Sequence, residues 1–229
     1  RGKVMGKKAL YHGSSKIIRT PFYGKGKRYN DYGRGFYCTE HVELAKEWAC
    51  TGNTIGYVNQ YEIETDGLNV LNLFSAEYTI LHWLALLTEH RRMRISTLVM
   101  QRGIAWLHDN FKIDVNGYDA IIGYCADDSY FSFARAFLRN DISLPQLTYA
   151  MGLGKLREQF VLKSEKAFGS IYFVSYEAVD HAEYYARRKA RDDQVRTAFQ
   201  EKLDSDKLEG LYIQDIIREE VRPNDPRLQ

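Results

Sequence analysis

The feature that most constrains this chain is the run Tyr32-Gly33-Arg34-Gly35-Phe36-Tyr37-Cys38-Thr39 together with the periodic segment behind it. Two glycines ahead of an aromatic stretch let the backbone turn tightly, or approach a neighbour closely, just before it enters a strand. Thr39 then stands where an N-cap would, Glu40 falls in the first turn, and Val42, Ala45 and Ala49 recur at helical spacing over residues 40–50. Strand therefore passes into helix. Trp48 follows Tyr37 by eleven residues, about three helical turns. A helix folding back along the strand brings the two rings face to face, with room for a flat, cationic heterocycle between them.

Ahead of this run lies Tyr11-His12-Gly13-Ser14. His12-Gly13-Ser14 resembles the HGS of the poly(ADP-ribose) polymerase and diphtheria-toxin type of ADP-ribosyltransferase, and Gly33 to Tyr37 resembles that family's G-K-G-I-Y-F. Trp48 sits at the family's second stacking aromatic with the same spacing. More closely, LYHGS…NDYGRGFYCTE…AKEWA, YDAIIGYCADDSYFSFARAF and EQFVLKSEKAF are similar to an uncharacterised group of bacterial PARP-like domains, over residues 8–175. One at a time, a His beside Gly-Ser reads as a turn residue and Tyr and Trp read as core. Their shared order and spacing favour a site.

The resemblance implies an α+β ADP-ribosyltransferase fold with two packed, mostly antiparallel sheets. It implies NAD+ as co-substrate and no metal. The Gly13 backbone would grip the nicotinamide amide, Ser14 would support it, Tyr37 and Trp48 would stack on the ring, and His12 would hydrogen-bond the adenosine ribose. Lys25 and Arg34 fall in or beside the loop that in the family covers the dinucleotide. The family's third position is a glutamate opening a late strand, and here Glu158 and Gln159 both offer themselves. Strand alternation puts them on opposite faces without saying which face meets the ligand. The related bacterial sequences favour Gln159, giving a triad of His12, Tyr37 and Gln159 with Glu158 as the alternative. A neutral amide cannot stabilise an attacking hydroxyl by charge, so polymer elongation is not expected.

The implied activity is transfer of one ADP-ribose from NAD+ to a protein or nucleic acid, or NAD+ hydrolysis. The rival is a non-catalytic NAD+ or ADP-ribose binding module, which the missing third carboxylate favours. The related RNA 2′-phosphotransferase chemistry is set aside because the basic residues do not follow that pattern. By resemblance alone, a toxin held by an antitoxin protein is a further expectation.

Charge distribution adds to this. Residues 1–30 hold nine Lys or Arg and no acid, and the first carboxylate is Asp31. This is a solvated basic arm or a holder of phosphates, and Lys16, Arg19, Lys25, Lys27 and Arg28 fall between His12 and Tyr37. The three cysteines, Cys38, Cys50 and Cys125, show no C-x-x-C spacing, so neither a disulfide framework nor a zinc site is expected and a reduced cytoplasm fits. No run of about eighteen apolar residues occurs, so neither secretion nor a membrane span is expected. The start is read at Met5, with residues 1–4 a fusion remnant.

The length of 229 residues suits a single domain. Expected strands cover residues 8–11, 55–64 (with Tyr57, Asn59, Tyr61 and Ile63 on one face), 119–124, 159–164 and 171–174, and residues 68–71 read as extended chain. A helical insertion over residues 75–111 holds a helix capped by Ser75 and a weaker one over 95–110. Trp83 and Trp106 read as core anchors there, and His82, His90 and His108 lack metal spacing. Ser129 is expected to cap a helix to residue 138, and Ser143 with Pro145 another to 152. Asp127 and Asp128 fit a paired-carboxylate site less well than the start of a helix, because consecutive strand residues diverge. Residues 164–169 read as a turn. A C-terminal extension over 177–221 holds a charged helix, either solvated or bound to a nucleic acid or partner, and a shorter one over 211–221.

Overall fold

The structure is a computed structural model that describes residues 6–50, 54–154, 158–206 and 209–228. Residues 1–5, Arg157 and the Asp128 side chain lie outside the described residues, and with them the proposed start and the paired-carboxylate idea for Asp128.

The fold is α+β, with two sheets. The first orders β1 (Lys7–Ser14), β3 (Gly56–Glu64) and β7 (Ile171–Val179) as β1-β3-β7, all antiparallel. The second orders β2 (Phe36–Cys38), β6 (Glu158–Leu162), β5 (Ala120–Tyr124) and β4 (Val70–Asn72) as β2-β6-β5-β4. Among the described strands only β4 and β5 run parallel. A parallel pair needs a crossover, and the helical insertion supplies it as α2 (Ile80–His90) and α3 (Leu98–Phe111). A bridge between Tyr11 and Thr39 joins the sheets at one edge.

Side-chain alternation explains why β5 and β6 read as continuous apolar runs. Ala120, Ile122, Phe160 and Leu162 pack with Leu10, Tyr61 and Ile63 between the sheets. Ile121 and Val161 face the other way, into a cluster with Trp83, Leu84, Phe137 and Leu147 from the helices. Gly123 sits on that second face, where a Cβ would lie 2.2 Å from the Tyr32 hydroxyl. The missing side chain is what admits Tyr32, fully buried, beneath the sheet.

Helix α1 (Val42–Ala49) lies across β1 and β3 at unusually short range. A Cβ on Gly13 would stand 1.9 Å from the Ala45 carbonyl oxygen and 2.8 Å from the Trp48 Cβ, and one on Gly56 2.2 Å from the Ala49 oxygen. Two glycines thus let the helix backbone touch the strands, and this brings Trp48 beside His12-Gly13. Helices α4 (Asp128–Leu138) and α5 (Leu144–Gly152), the latter closed by a Ser143/Gln146 capping box, follow β5. Helix α7 (His181–Ser205) packs its few apolar residues, among them Phe199 against Phe133 at 4.5 Å, on that layer, and α8 (Ile213–Arg218) packs beside α3.

Several expected boundaries shift. His41, not Thr39, takes the α1 N-cap position, because Thr39 is spent on the bridge to Tyr11 while its Oγ1 accepts from the His41 N–H (3.1 Å). Thr79, not Ser75, caps α2, in a reciprocal box with His82. Asp127 holds the α4 cap position, and Ser129 donates from both N–H and Oγ to Asp192 of α7. The turn at 164–169 is a short helix, α6 (Glu165–Gly169), capped by Ser164. Strand β7 runs five residues past its expected end because it pairs along nearly all of β3. Among the described residues no helix is long and apolar enough to cross a membrane.

Candidate functional site

A cavity of about 910 Å³, lined by His12, Gly13, Ser14, Lys25, Tyr37 and Trp48 among others, opens between β1, β2, α1 and the loop after β1. A compartment of about 330 Å³ continues from it, sharing His12, Gly13, Tyr37 and Trp48 and adding Asp31 and Gln159. These volumes suit a nucleotide-sized ligand.

Backbone geometry comes first. Tyr11 exchanges both of its main-chain bonds with Thr39, at 2.8 and 2.9 Å. The β1–β3 register is regular, so the N–H and C=O of Gly13, two residues on, turn to the same side as those of Tyr11. There the strand contact has ended at the Tyr11–Thr39 bridge, and the Gly13 groups meet the cavity.

His12 is fixed by its own ring. Nδ1 lies 2.7 Å from the Tyr37 carbonyl oxygen, and since a carbonyl only accepts, Nδ1 carries the proton and Nε2 is the open lone pair. Burial pushes the imidazole below the ordinary histidine range despite that bond, so the ring is neutral near pH 7. Phe36 supports it at 4.4 Å between centroids.

Tyr37 is pinned at its far end. Its hydroxyl accepts from the Tyr32 N–H (3.0 Å) and donates to the Gly33 carbonyl (2.6 Å). Desolvation drives its acidity well away from the neutral range, so the ring is a fixed, uncharged wall. Gly33 adopts φ +71°, a left-handed conformation that glycine takes without the Cβ penalty, and this turn presents the carbonyl to Tyr37.

Pairing between strands shows which face of β6 lies on the Tyr37 side. Tyr37 stands opposite Val161, and Gln159 shares the Val161 face, so Gln159 and Tyr37 lie on one side of the sheet. Glu158, at the first position of β6, lines neither compartment. Gln159 is 3 % exposed. Its Nε2 donates to Asp31 Oδ2 (2.8 Å) and to the Tyr124 carbonyl (2.9 Å). Both partners only accept, which fixes the amide orientation, uses both its hydrogens and leaves Oε1 as the acceptor end.

Asp31 is the residue that sequence reasoning missed. It is 4 % exposed; Oδ1 accepts from Arg91 Nη1 (2.7 Å), and Oδ2 accepts from the Ala126 N–H (2.8 Å) as well as from Gln159. Arg91, at the C-terminal end of α2, stacks on Phe131 at 4.4 Å. A carboxylate thus stands directly behind the neutral amide. The available signal was its place as the first acid after an acid-free stretch. Asp127 and Arg188 also border the smaller compartment, Asp127 held by Arg191 at 3.3 Å. Burial raises the Cys125 thiol there, so it is no nucleophile.

Two expected ligand residues separate. Lys25 lines the larger cavity, its ammonium 4.4 Å from the Phe22 ring. Arg34 does not: it lines a different cavity with Arg28, Tyr29 and His90, and its carbonyl accepts from Lys163 Nζ (2.6 Å). A larger void of about 1080 Å³ lies elsewhere, among Tyr78, Ile80, Leu144, Tyr149 and Leu211. Among the described residues of its lining the charged side chain is Arg227, which is paired with Asp225 and Glu219. Among the described residues, no group of three or more His, Cys, Asp or Glu is placed to hold a metal ion.

Residues 8–173 match the family described as "Protein of unknown function (DUF3990)", and the chain belongs to that family. Neither the curated proteins nor the solved structures give a match.

Proposed function

We propose that this protein is an NAD+-dependent ADP-ribosyltransferase of the PARP and diphtheria-toxin type, transferring one ADP-ribose to a macromolecule. The observation that carries the proposal is convergence: His12, Tyr37, Trp48 and Gln159, from three distant parts of the chain, border one cavity into which the Gly13 backbone turns.

In this reading the Gly13 N–H and C=O hold the nicotinamide carboxamide, while Tyr37 and Trp48 flank the ring. Lys16, Arg19, Lys25 and Lys27 sit where the pyrophosphate charge falls, and His12 offers Nε2 to a ribose hydroxyl. Gln159 Oε1 accepts from the 2′-hydroxyl of the nicotinamide ribose and orients the sugar. The bond from C1″ to the nicotinamide nitrogen breaks with its electron pair passing to the ring, which leaves neutral. Positive charge moves to the ribosyl carbon and oxygen. An acceptor oxygen or nitrogen then bonds C1″ and releases its proton to water.

Asp31 supplies what Gln159 lacks. Its carboxylate, one amide removed from the ribose, stabilises the oxocarbenium through space, and Gln159 keeps it from collapsing onto C1″. The neutral third position still favours the binding-module alternative. The two separate on one assay: NAD+ labelled in nicotinamide is incubated with the protein and cell lysate, then chromatographed. Nicotinamide release by wild type, lost in His12→Ala and Trp48→Ala, is the expected result. Binding of NAD+ without release under any acceptor leaves a binding module.

A further inference from the structure

The cations of the loop after β1 divide between two cavities. Lys16, Arg19, Lys25 and Lys27 line the large one described above, whereas Arg28 and Arg34 line a second of about 610 Å³ with Tyr29, Gly33, Glu89 and His90. The two abut through a single turn. Asn30 lines the first and its chain neighbour Tyr29 lines the second, and Arg92 stands beside that second cavity with its guanidinium 3.8 Å from the Tyr29 ring centroid. Tyr37, in the wall of the first, donates to the carbonyl of Gly33 in the wall of the second.

Charge in the second cavity is uncompensated. Arg91, Arg187, Arg191, Arg196, Arg218 and Arg227 each have a carboxylate partner. Arg28, Arg34 and Arg92 are exposed, and none has one within 4.0 Å among the described residues. Among the described residues of the lining the carboxylate is Glu89, which is taken by Lys112 at 2.8 Å. Beside these cations are partly exposed rings: Tyr29, 46 % exposed with Arg92 over its ring, and, on the same loop, Phe22 and Tyr23, 60 % and 54 % exposed. Exposed arginines without a carboxylate partner, set around a partly exposed ring, form a surface suited to something anionic and flat.

We propose that this second cavity receives the acceptor, and that the acceptor is a single-stranded nucleic acid. Phosphates lie on Arg28, Arg34 and Arg92, and a base stacks against Tyr29, the combination that holds unpaired strands. An acidic peptide would satisfy the cations but make no use of the stacked ring. The word acceptor rests on the transferase reading; the surface itself does not need NAD+ to be tested.

Fluorescein-labelled single-stranded RNA and DNA of mixed sequence are titrated with the full chain, without NAD+, across a salt series and followed by anisotropy. NAD+ affinity is measured separately by calorimetry. The triple variant Arg28→Gln, Arg34→Gln, Arg92→Gln weakens binding more than tenfold and flattens the slope of log K against log salt by about two, since each lost phosphate contact removes about 0.7. Tyr29→Ala weakens binding roughly five- to a hundredfold, as loss of one stacked base does, and leaves the slope in place. Both variants keep wild-type NAD+ affinity. Oligonucleotide binding as predicted without any NAD+ binding keeps this surface and removes the transferase reading. A triple variant with wild-type affinity and slope overturns the proposal. So does a wild type that ignores both oligonucleotides while ADP-ribosylating lysate proteins.

Discussion

Replacing Asp31 by Asn removes one charge and nearly nothing else, so its effect can be worked out. Oδ2 lies 2.8 Å from Gln159 Nε2; crossing the amide and one hydrogen bond to the ribose puts the carboxylate roughly 7 Å from the developing cation. At an effective dielectric of about 20 the attraction is about 2 kcal/mol, or roughly thirty- to a hundredfold in rate. The ground state keeps its charge on nicotinamide, so NAD+ affinity moves by only a few-fold. Arg91, left facing a neutral amide, pushes in the same direction. Its side chain is 29 % exposed, so the lost pair costs about 1–3 kcal/mol of stability, less than a fully buried one. Single-turnover nicotinamide release measures the first effect and thermal unfolding the second. Arg91→Gln in the Asp31→Asn background restores part of the stability and none of the charge attraction. A folded Asp31→Asn protein releasing nicotinamide at the wild-type rate refutes the assignment of charge to Asp31.

Gln159→Ala loses the orienting bond and lowers turnover roughly ten- to a thousandfold with NAD+ affinity within a few-fold; Glu158→Gln stays near wild type, and the reverse pattern moves the third position to Glu158. Gly13→Ala drives a methyl into the Ala45 carbonyl at 1.9 Å, so α1 must shift; a lower melting temperature and at least tenfold weaker NAD+ binding are expected, and an unchanged protein on both counts contradicts the close approach. Burial lowers the proton affinity of His12, His82 and His90 in the fold. The unfolded chain therefore binds more protons below about pH 6.5, and stability falls as pH drops below that value, by up to about 1.4 kcal/mol per unit for each group. Urea melts between pH 7.5 and 5.5 read this window, and a flat profile there goes against buried, neutral histidines.

What the sequence makes legible here is local. His12, Tyr37 and Trp48 lie in short runs whose turn and periodicity speak for themselves, and the α2–α3 insertion shows as a change of period. The face of β6 was not legible, because alternation separates Glu158 from Gln159 but only the Tyr37–Val161 pairing says which side meets the cavity. Asp31 was visible only as the end of an acid-free stretch; its partners Arg91, Ala126 and Gln159 come from three elements that tertiary packing alone brings together. Arg34 shows the same limit: spacing put it in the loop, but only tertiary packing sets it in the cavity with Arg28 and Tyr29 and not in the one that Lys25 lines. Capping residues failed where a hydroxyl had a better tertiary partner, as Ser129 does in Asp192.

The central claim is that NAD+ occupies the cavity between β1, β2 and α1. A crystal structure of the full chain with a non-hydrolysable NAD+ analogue tests it most directly. The account predicts the carboxamide on the Gly13 backbone, the ring between Tyr37 and Trp48, and the ribose 2′-hydroxyl on Gln159 Oε1 with Asp31 behind it. An analogue lodged instead in the void among Tyr78, Leu144 and Tyr149, or density for none at saturating concentration, contradicts it.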